Sequence, residues 1–345
     1  EIESIGASLN FSAGTLTTAF SAHCLSEDLL LILQLMSESL RSPTFPEKEF
    51  NRQKNQLLTA LAIRAQDTAS MAELLFDQII YADHPYQYPD EGYPETVQGI
   101  KRDDLVDFYQ RTYGPQGMVI SIVGAVAPDA AVNAVRKVLG DWENPGQEPM
   151  EDVPSQLPIQ KTTQKALSIP GKFQADIVMG SLAPRRLSPD YHALKIGNNI
   201  LGEFGMMGRL GARVREQEGL AYYAYSSLST GMGPGAWEMI AGVNPRNTEQ
   251  TIALITDEIK KFVSEPVTDE ELSDSKSYLV RPLAAILESN SGVAVSLLNL
   301  ERYQLGLDYF LNYPKQIQAV TAEEILNTSK KYLDPDRLGV AVAGP

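Results

Sequence analysis

The sequence predicts an α+β fold built from two copies of one structural pattern, each a mainly antiparallel sheet with helices packed on one face. Three observations support this fold class. Short alternating segments, typical of half-buried strands, are separated by longer segments with helical periodicity. Both kinds of segment recur in the same order in the two halves of the chain. With 345 residues, of which 43% are hydrophobic, the chain is long enough for two domains.

The first half begins with a predicted β-hairpin and continues with helices. Residues 7–24 alternate and are rich in Ser, Thr and Phe, with Gly14 at the turn. A strand is predicted over 118–123, after a Gly-Pro turn, and a Pro/Gly/Glu-rich linker over 144–158. The helices of this half are predicted over 29–40, 47–66, 69–80, 103–113 and 129–139.

The second half repeats this alternation with more strands. Strands are predicted over 162–169, 175–181, 237–243 and 338–343. The glycine-rich run 231–235 lacks the strand-loop-Lys context of a phosphate-binding loop and is predicted to be a hairpin turn. Helices are predicted over 189–201, 247–263, 268–287 and 321–333, with further helical signal over 291–304 and 314–319.

An internal duplication relates the two halves. At an offset of 220 residues, 118–124 falls on 338–344 without a gap, and at an offset of 222, the helix starting at Glu47 falls on the one starting at Asp269. This predicts a first domain over 1–148, a linker over 149–159 and a second domain over 160–345. Residue 1 then corresponds to about residue 223, so we expect the first copy to be incomplete at its N-terminal side.

Composition narrows the classes of partner. The formal net charge of −15 argues against nucleic acid and against an anionic membrane, and leaves basic or neutral polypeptides possible. The single Cys24 excludes an internal disulfide and a multi-cysteine metal site. No apolar run approaches the length of a membrane span, and the first residues show no signal-peptide pattern.

The stretch 201–226 is the candidate functional segment. It is predicted to begin with a flexible glycine-containing segment, followed by a short helix, a break at Gly219 and then a strand. Met206, Leu210 and Val214 are spaced to form one helical face. Arg215 lies near the predicted helix C-terminus, where the helix dipole favours a cation, and Gly219 suits the position just past the helix end.

The helix-to-strand turn would bring Arg215 and Tyr222 side by side in one cleft. The alternative reading is that Arg215 pairs with Glu216 or Glu218 and that the tyrosines pack within the sheet, since charged helix ends are common. The residues alone leave both readings open.

The same stretch resembles the pitrilysin/insulinase family of zinc metallopeptidases. The family pattern is close to G-x-x-S-R-L-x-x-x-[VIL]-R-E-x-x-G-L-[AC]-Y, and the segments IESIGASLNFSAG, SPTFPEKEFNRQK and DDLVDFYQRTYGPQGMVISIVG are similar to the family as well. The resemblance covers nearly the whole chain, although Met206-Met207-Gly208 replaces the usual small-residue lead. The matching positions are Gly205, Arg209, Leu210, Val214, Arg215, Glu216, Gly219, Leu220, Ala221 and Tyr222.

The resemblance implies a substrate-binding role for Arg215 and Tyr222, which would hold a peptide backbone from the side opposite the zinc. A guanidinium and a phenol are both donors to a peptide carbonyl. The family's zinc motif, H-x-x-E-H, is absent from this sequence, and the family's third ligand would be a Glu over 59–66, where no acid lies between Glu49 and Asp67. We therefore expect no metal site and no catalytic residue of this chain's own.

Two functions of different class follow from the resemblance. The first is a non-catalytic half or subunit that contributes Arg215 and Tyr222 to a composite metalloendopeptidase site, with zinc bound by a catalytic partner carrying H-x-x-E-H and with an extended peptide as substrate. The second is a non-enzymatic peptide-binding or scaffold protein on the same fold. An active homodimeric peptidase truncated before its zinc helix is disfavoured by the missing Glu. A bacterial origin is favoured, with cytoplasm and periplasm both open.

The three histidines are predicted to be structural. His23 lies alone on a predicted strand, and His192 lies on a helix with no acid three or four residues later. His84 lies in a loop with Asp83, Asp90 and Glu91, which is a weak metal signal because such lone combinations rarely bind metal. None of the three qualifies as a general base.

Overall fold

The structure is a computed structural model that describes residues 2–345, apart from the side chain of Met206. It contains two compact units. Unit 1 comprises Glu1–Ala60, Asp90–Asp152 and Ile286–Arg302, and unit 2 comprises Leu61–Pro89, Val153–Ala285 and Tyr303–Pro345.

Helices outnumber strands along the chain. The strands are β1 Ser8–Ala13, β2 Thr18–His23, β3 Thr163–Ser168, β4 Ala175–Ala183, β5 Ala221–Ser229, β6 Gly235–Val243 and β7 Gly339–Gly344. The α-helices are α1 Leu29–Arg41, α2 Glu47–Arg64, α3 Thr68–Ile80, α4 Pro94–Gly99, α5 Arg102–Thr112, α6 Pro128–Leu139, α7 Tyr191–Asn198, α8 Thr248–Phe262, α9 Asp269–Val280, α10 Pro282–Ile286, α11 Asn290–Arg302, α12 Tyr309–Ala319 and α13 Ala322–Tyr332. Two π-helical segments, Asn199–Glu203 and Gly211–Gln217, lie between α7 and β5.

A five-stranded sheet forms the centre of unit 2, in the order β3-β7-β4-β6-β5. The β3–β7 pair is parallel and the other pairs are antiparallel, which confirms the predicted mainly antiparallel sheet. Every residue of β4 is buried, because this strand has a neighbour on each side and side chains packed on both faces. β5 is an edge strand, and only two of its nine residues, Ala224 and Ser226, are buried.

Helices cover both faces of this sheet. One face packs against a core from α7, α8, α12 and α13, with Trp237 and Phe262 at its centre. The other face packs against α3, whose Ala72, Phe76 and Ile80 form a stripe at four-residue spacing and are fully buried. The predicted α+β class is confirmed, with α3 as an addition on the second face.

Element bounds reproduce the predicted duplication. At an offset of 222 residues, α2 coincides end for end with 269–286, the range of α9 and α10, and α3 coincides with α11. At an offset of 220, α5 coincides with α13. α3 belongs to unit 2 and α11 to unit 1, so the two copies exchange this helix. The compact units therefore do not have the same boundaries as the two copies of the repeat. The domain boundaries at 148 and 160 stay a prediction.

Unit 1 has a smaller sheet than predicted. β1 and β2 pair antiparallel from Ser8–His23 to Ala13–Thr18, and a small core joins α1 with α6. The strand predicted over 118–123 is wrong, since this segment joins no ladder within the described residues. Its counterpart β7 is paired by β3 and β4 on its two sides, whereas the described residues provide no pairing strand for 118–123.

No single helix in residues 2–345 has the length and apolar composition to cross a membrane. One bent pair, Asp269–Ile286 with Asn290–Arg302, meets that test of length and composition when its two parts are taken together.

Candidate substrate-binding site

The candidate segment forms a helix, a tight turn and the edge strand of unit 2. The helix ends as the π-helix Gly211–Gln217, a rare conformation that occurs mostly as short bulges within α-helices and is frequent at functional sites. Gly219 takes φ +64°. Its N–H donates to the Arg215 carbonyl at 3.1 Å, and the N–H of Leu220 donates to the Val214 carbonyl at 3.1 Å. The predicted glycine just past the helix end is confirmed, and it satisfies two helix carbonyls.

The predicted apolar face anchors this helix, while Arg215 points away from the core. Leu210 and Val214 are 1% and 0% exposed, and the third member of the face, Met206, has its side chain outside the described part. The side chain of Arg215 is 43% exposed, and its guanidinium reaches Glu216 only at 4.0 Å. A contact this long between exposed groups contributes little, so Arg215 keeps its donors for another acceptor.

Tyr222 lies in a β-bulge. Ala221 pairs with Val243 and Tyr223 pairs with Gly242, so Tyr222 is an extra residue without a partner on β6. Strict alternation would place it on the side of Ala224 and Ser226, which are buried, whereas a bulge redirects the side chain. Tyr222 is 56% exposed, and its hydroxyl makes no hydrogen bond to the described residues.

A groove of about 440 Å³ runs along β5, and we call it the β5 groove. Arg215 lines it, whereas Tyr222 lies outside its lining, next to Tyr223 in the strand. The lining residues are Lys195, Asn198, Glu203, Gly205, Gly211, Arg215 and the β5 residues 223–228.

A polar network holds one wall of the β5 groove. The Trp237 Nε1–H donates to Asn198 Oδ1 at 2.9 Å, and Asn198 Nδ2–H donates to Glu203 Oε2 at 3.0 Å. The Lys195 ammonium donates to both oxygens of Glu203, at 2.6 and 2.8 Å. Trp237 and Asn198 are almost fully buried, so the network fixes Glu203 from the core outward.

A second ion pair fixes the start of the Arg215 helix. Arg209 forms a two-point contact with Glu271 at 2.6 and 2.8 Å, and its guanidinium lies 5.3 Å from the Phe262 ring centroid. Glu271 also caps α9 by accepting the Thr268 N–H at 2.8 Å. The arginine that precedes the motif's leucine therefore has a structural contact in this chain.

A buried carboxylate ties β5 to α3 on the other face of the sheet. Asp176 is 1% exposed and accepts hydrogen bonds from the hydroxyls of Tyr223 and Thr68 and from Gln174 Nε2 at 2.9 Å. Burial, and then this bond to Asp176, raise the pKa of Tyr223 well above its usual range. The phenol therefore stays protonated and keeps donating.

Three further acids lie together on this face, on α3 and β6. Burial, with the nearby Glu73, raises the pKa of Asp77 to about 7. Burial, with Asp77 and Glu73, raises the pKa of Glu238 to about 8. Burial and the same carboxylates Glu73 and Glu238 raise the pKa of Tyr225, which is 37% exposed at the strand edge. The pKa of Glu73 is raised as well, and all three acids shift upward because an array of buried negative charges is unfavourable.

The described residues do not provide a set of ligands that fits a zinc ion. No group of three or more His, Cys, Asp or Glu side chains in the described part is placed to hold a metal ion. His84 is 2% exposed and uses both ring nitrogens, with the Pro154 carbonyl at 3.2 Å and the Tyr86 N–H at 3.1 Å. His192 is packed among tyrosines, and burial lowers its pKa.

Sequence reasoning found the exposed residues of this site and missed those that support it. Lys195 and Glu203 are eight residues apart, beyond the three- or four-residue spacing at which helix side chains meet, and the π-helical segment Asn199–Glu203 lies between α7 and the end of this pair. Asp176 is a lone acid within the apolar run of β4, which marks a buried partner. The contacts of Arg209 with Glu271 and of Asn198 with Trp237 join distant segments and had no local signal.

The family models identify the class of protein. The model for the "Peptidase M16 inactive domain" matches residues 99–279, and the model for "Insulinase (Peptidase family M16)" matches residues 1–89. The first match alone covers more than half of the chain, which therefore belongs to peptidase family M16. The resemblance on the Arg215 segment is thereby confirmed at the level of the family and its inactive domain.

Similar proteins carry names of both kinds, peptidase and non-peptidase. An uncharacterized zinc protease of Mycobacterium tuberculosis is 26% identical over 345 residues, which are 100% of this chain and 78% of that protein. The Helicobacter pylori protein named "Non-peptidase homolog YmxG" is 25% identical, with 99% of this chain and 78% of that protein covered. The crystal structure of a peptidase M16 inactive domain from Pseudomonas fluorescens has a TM-score of 0.90 and 25% identity, over 100% of this chain and 82% of that one.

Proposed function

We propose that this chain is the substrate-holding half of a composite zinc metalloendopeptidase, and that a partner half carrying H-x-x-E-H supplies the zinc. The chain would bind an extended peptide and present it to that partner. The proposal is supported by the match to the inactive domain of the family and by a set of metal-binding side chains too sparse for a zinc site.

The single observation that carries the proposal is the open edge of β5 beside an uncommitted arginine. An edge strand offers unpaired N–H and C=O groups, to which an extended peptide adds as a further strand. The β5 groove gives that peptide room, and Arg215 lines it with donors that no close acceptor occupies.

In this role Arg215 and Tyr222 would hold the peptide backbone. A guanidinium has five N–H donors and a permanent positive charge, and a phenol is a neutral donor. Both would donate to peptide carbonyls, and both would favour the carbonyl oxygen as negative charge develops on it. The bulge at Tyr222 supports this role because it keeps the hydroxyl at the surface rather than in the core.

A zinc determination combined with a fluorogenic-peptide assay on the purified chain tests this proposal. We expect no stoichiometric zinc and no cleavage by the chain alone. The tagged chain, recovered from its host, should bring with it a zinc-containing chain that has the H-x-x-E-H motif, and this mixture should cleave the peptide. One tightly bound zinc per chain, with cleavage that a chelator stops, would overturn the proposal.

A second candidate is a peptide-binding protein that works without a peptidase partner. The name of the Helicobacter pylori relative, a non-peptidase homolog, favours this reading for that protein. In this case the chain would bind extended peptides on β5 while no H-x-x-E-H chain co-purifies with it. The same recovery experiment therefore separates the two functions.

A further inference from the structure

The charges that line the β5 groove do not cancel. Lys195 and Glu203 neutralise each other through contacts of 2.6 and 2.8 Å. Arg215 adds a second cation, and the acid nearest to it, Glu216, stands at 4.0 Å and is itself mostly exposed. The groove lining therefore carries one net positive charge in a chain whose net charge is −15.

The groove also has more free charged hydrogen-bond donors than free carboxylate acceptor positions. Three N–H contacts, two from Lys195 and one from Asn198, already occupy the Glu203 carboxylate, which has about four acceptor positions. Lys195 keeps at least one of its three N–H groups, and the Arg215 guanidinium makes no hydrogen bond to the described residues. A side chain that enters the groove thus meets charged donors and a carboxylate with little capacity left.

The two faces of the sheet offer different surroundings to an added strand. Lys195 and Arg215 belong to the helical layer that packs against Trp237, whereas Glu73, Asp77 and Glu238 lie on the α3 side. Alternate side chains of an added peptide point to opposite faces. Only one set of alternate positions would therefore meet the two cations.

We propose that the β5 groove is a subsite for a peptide carboxylate, which Arg215 and Lys195 bind on the α7 side of the sheet while Glu203 sets the strength of the preference. The inference rests on the proposed binding of an extended peptide to β5. It names the substrate class as extended peptides with a carboxylate at one position. A guanidinium and a carboxylate form charge-assisted hydrogen bonds of roughly twice the strength of neutral ones.

Fluorescence anisotropy with synthetic peptides tests the subsite on the full chain. The probe is a fluorescein-labelled peptide of nine residues, the length of β5, with alternating Thr and Val and one central Glu. Two matched probes carry Gln or Lys at the centre, all with an amidated C-terminus, and a fourth carries central Gln with a free C-terminal carboxylate. We expect the Glu probe to bind roughly five- to tenfold more tightly than the Gln probe, and the Lys probe to bind most weakly.

Variants with opposite charge changes separate a subsite from general disruption. Glu203→Gln removes the negative charge and frees Lys195, so the preference for Glu over Gln should increase about threefold. Lys195→Gln leaves Glu203 without its cation, so the preference should disappear. Arg213→Gln is the control, because it removes one positive charge, as Lys195→Gln does, but from a π-helix residue that does not line the groove. It should leave the preference for Glu over Gln unchanged. A merely structural effect would weaken all probes equally in each variant.

The outcomes distinguish this inference from the function on which it rests. Tighter binding of the Glu probe places a side-chain carboxylate in the groove, and tighter binding of the free-terminus probe places a C-terminal carboxylate there; either supports the subsite. Equal binding of all four probes overturns the subsite and leaves peptide holding intact. No binding of any probe up to about 1 mM overturns both.

Discussion

Arg209 and Glu271 form a two-point ion pair, with Nε–Oε1 at 2.6 Å and an Nη2–Oε2 contact at 2.8 Å, that joins the start of the Arg215 helix to the first turn of α9. The Arg209 side chain is only 18% exposed, so solvent screens this pair far less than the distant Arg215–Glu216 contact. The two arginines of the motif therefore differ in role: Arg209 is committed to the fold, and Arg215 is free to bind.

Arg209→Gln should lower the free energy of unfolding by about 2 kcal/mol, because it removes a shielded charge-assisted pair and leaves Glu271 with its capping contacts alone. Chemical denaturation followed by circular dichroism measures the change. Arg213→Gln on the same helix is the control and should stay within about 0.5 kcal/mol of the wild type, since Arg213 reaches Glu218 only at 4.0 Å. Equal stability of wild type and Arg209→Gln would show that the pair adds nothing to the fold.

Arg215→Ala and Tyr222→Phe should each abolish peptide turnover by the assembled enzyme, by about 100-fold or more, while leaving the melting temperature of this chain unchanged. Both side chains are largely exposed, so their loss removes no core packing. Initial rates with a fluorogenic peptide and thermal melts of each variant measure the two effects. If both variants turned over the peptide at the wild-type rate, the substrate-binding role that we assign to Arg215 and Tyr222 would be contradicted.

Local signals in the sequence were sufficient for the helix end and the turn at this site. The apolar positions Leu210 and Val214 fixed the buried face of the helix, and Gly219 marked its end, because helical periodicity and left-handed glycines are properties of neighbouring residues. The duplication was also visible, since α2 and α3 recur at one offset.

The remaining features of the site depend on residues that are distant in sequence. Strand alternation alone would bury Tyr222, and only the pairing of β5 with β6 creates the bulge that exposes it. The predicted first domain includes α3, and the apolar stripe of this helix packs on the sheet of unit 2 through contacts between distant segments. The error over 118–123 has the same origin, because a segment with strand composition forms a strand only beside a partner.

Glu238→Gln should stabilise the chain at alkaline pH. Because the folded pKa of Glu238 is raised to about 8, the folded state holds a proton that the unfolded chain releases near its usual 4.5. The contribution of the neutral Glu238 carboxyl to stability is therefore fully present below about pH 4.5 and is lost as the pH rises through 8. At about pH 9 the Gln variant should be more stable than the wild type by on the order of 2 kcal/mol, since it keeps the neutral form.

Denaturation curves from pH 5 to 9 measure this difference. Asp77→Asn should also raise stability at alkaline pH. Its effect should be complete at a lower pH than that of Glu238→Gln, because the folded pKa of Asp77 is about 7. Asp274→Asn, at an exposed position on α9, is the matched control for the loss of a carboxyl group. A Glu238→Gln variant that is less stable than the wild type at alkaline pH would mean that the carboxylate is ionised and paired in the folded chain.

His192→Phe should reduce the loss of stability in mild acid. Burial and the nearby Arg186 lower the folded pKa of His192 from 6.5, against the opposing effect of a hydrogen bond that the ring donates to Gln316. The unfolded chain therefore takes up a proton first, and the stability that the neutral ring contributes is lost as the pH falls below 6.5. Phe keeps the ring packing against Tyr191 and Tyr313 without a titrating nitrogen, so the variant should show a flatter curve between about pH 5 and 6.5. His23→Gln removes a histidine at an exposed position on β2 and is the matched control for the change of residue type. If His192→Phe loses stability with the wild-type slope over this window, the acid sensitivity arises elsewhere and His192 is titrating like an exposed histidine.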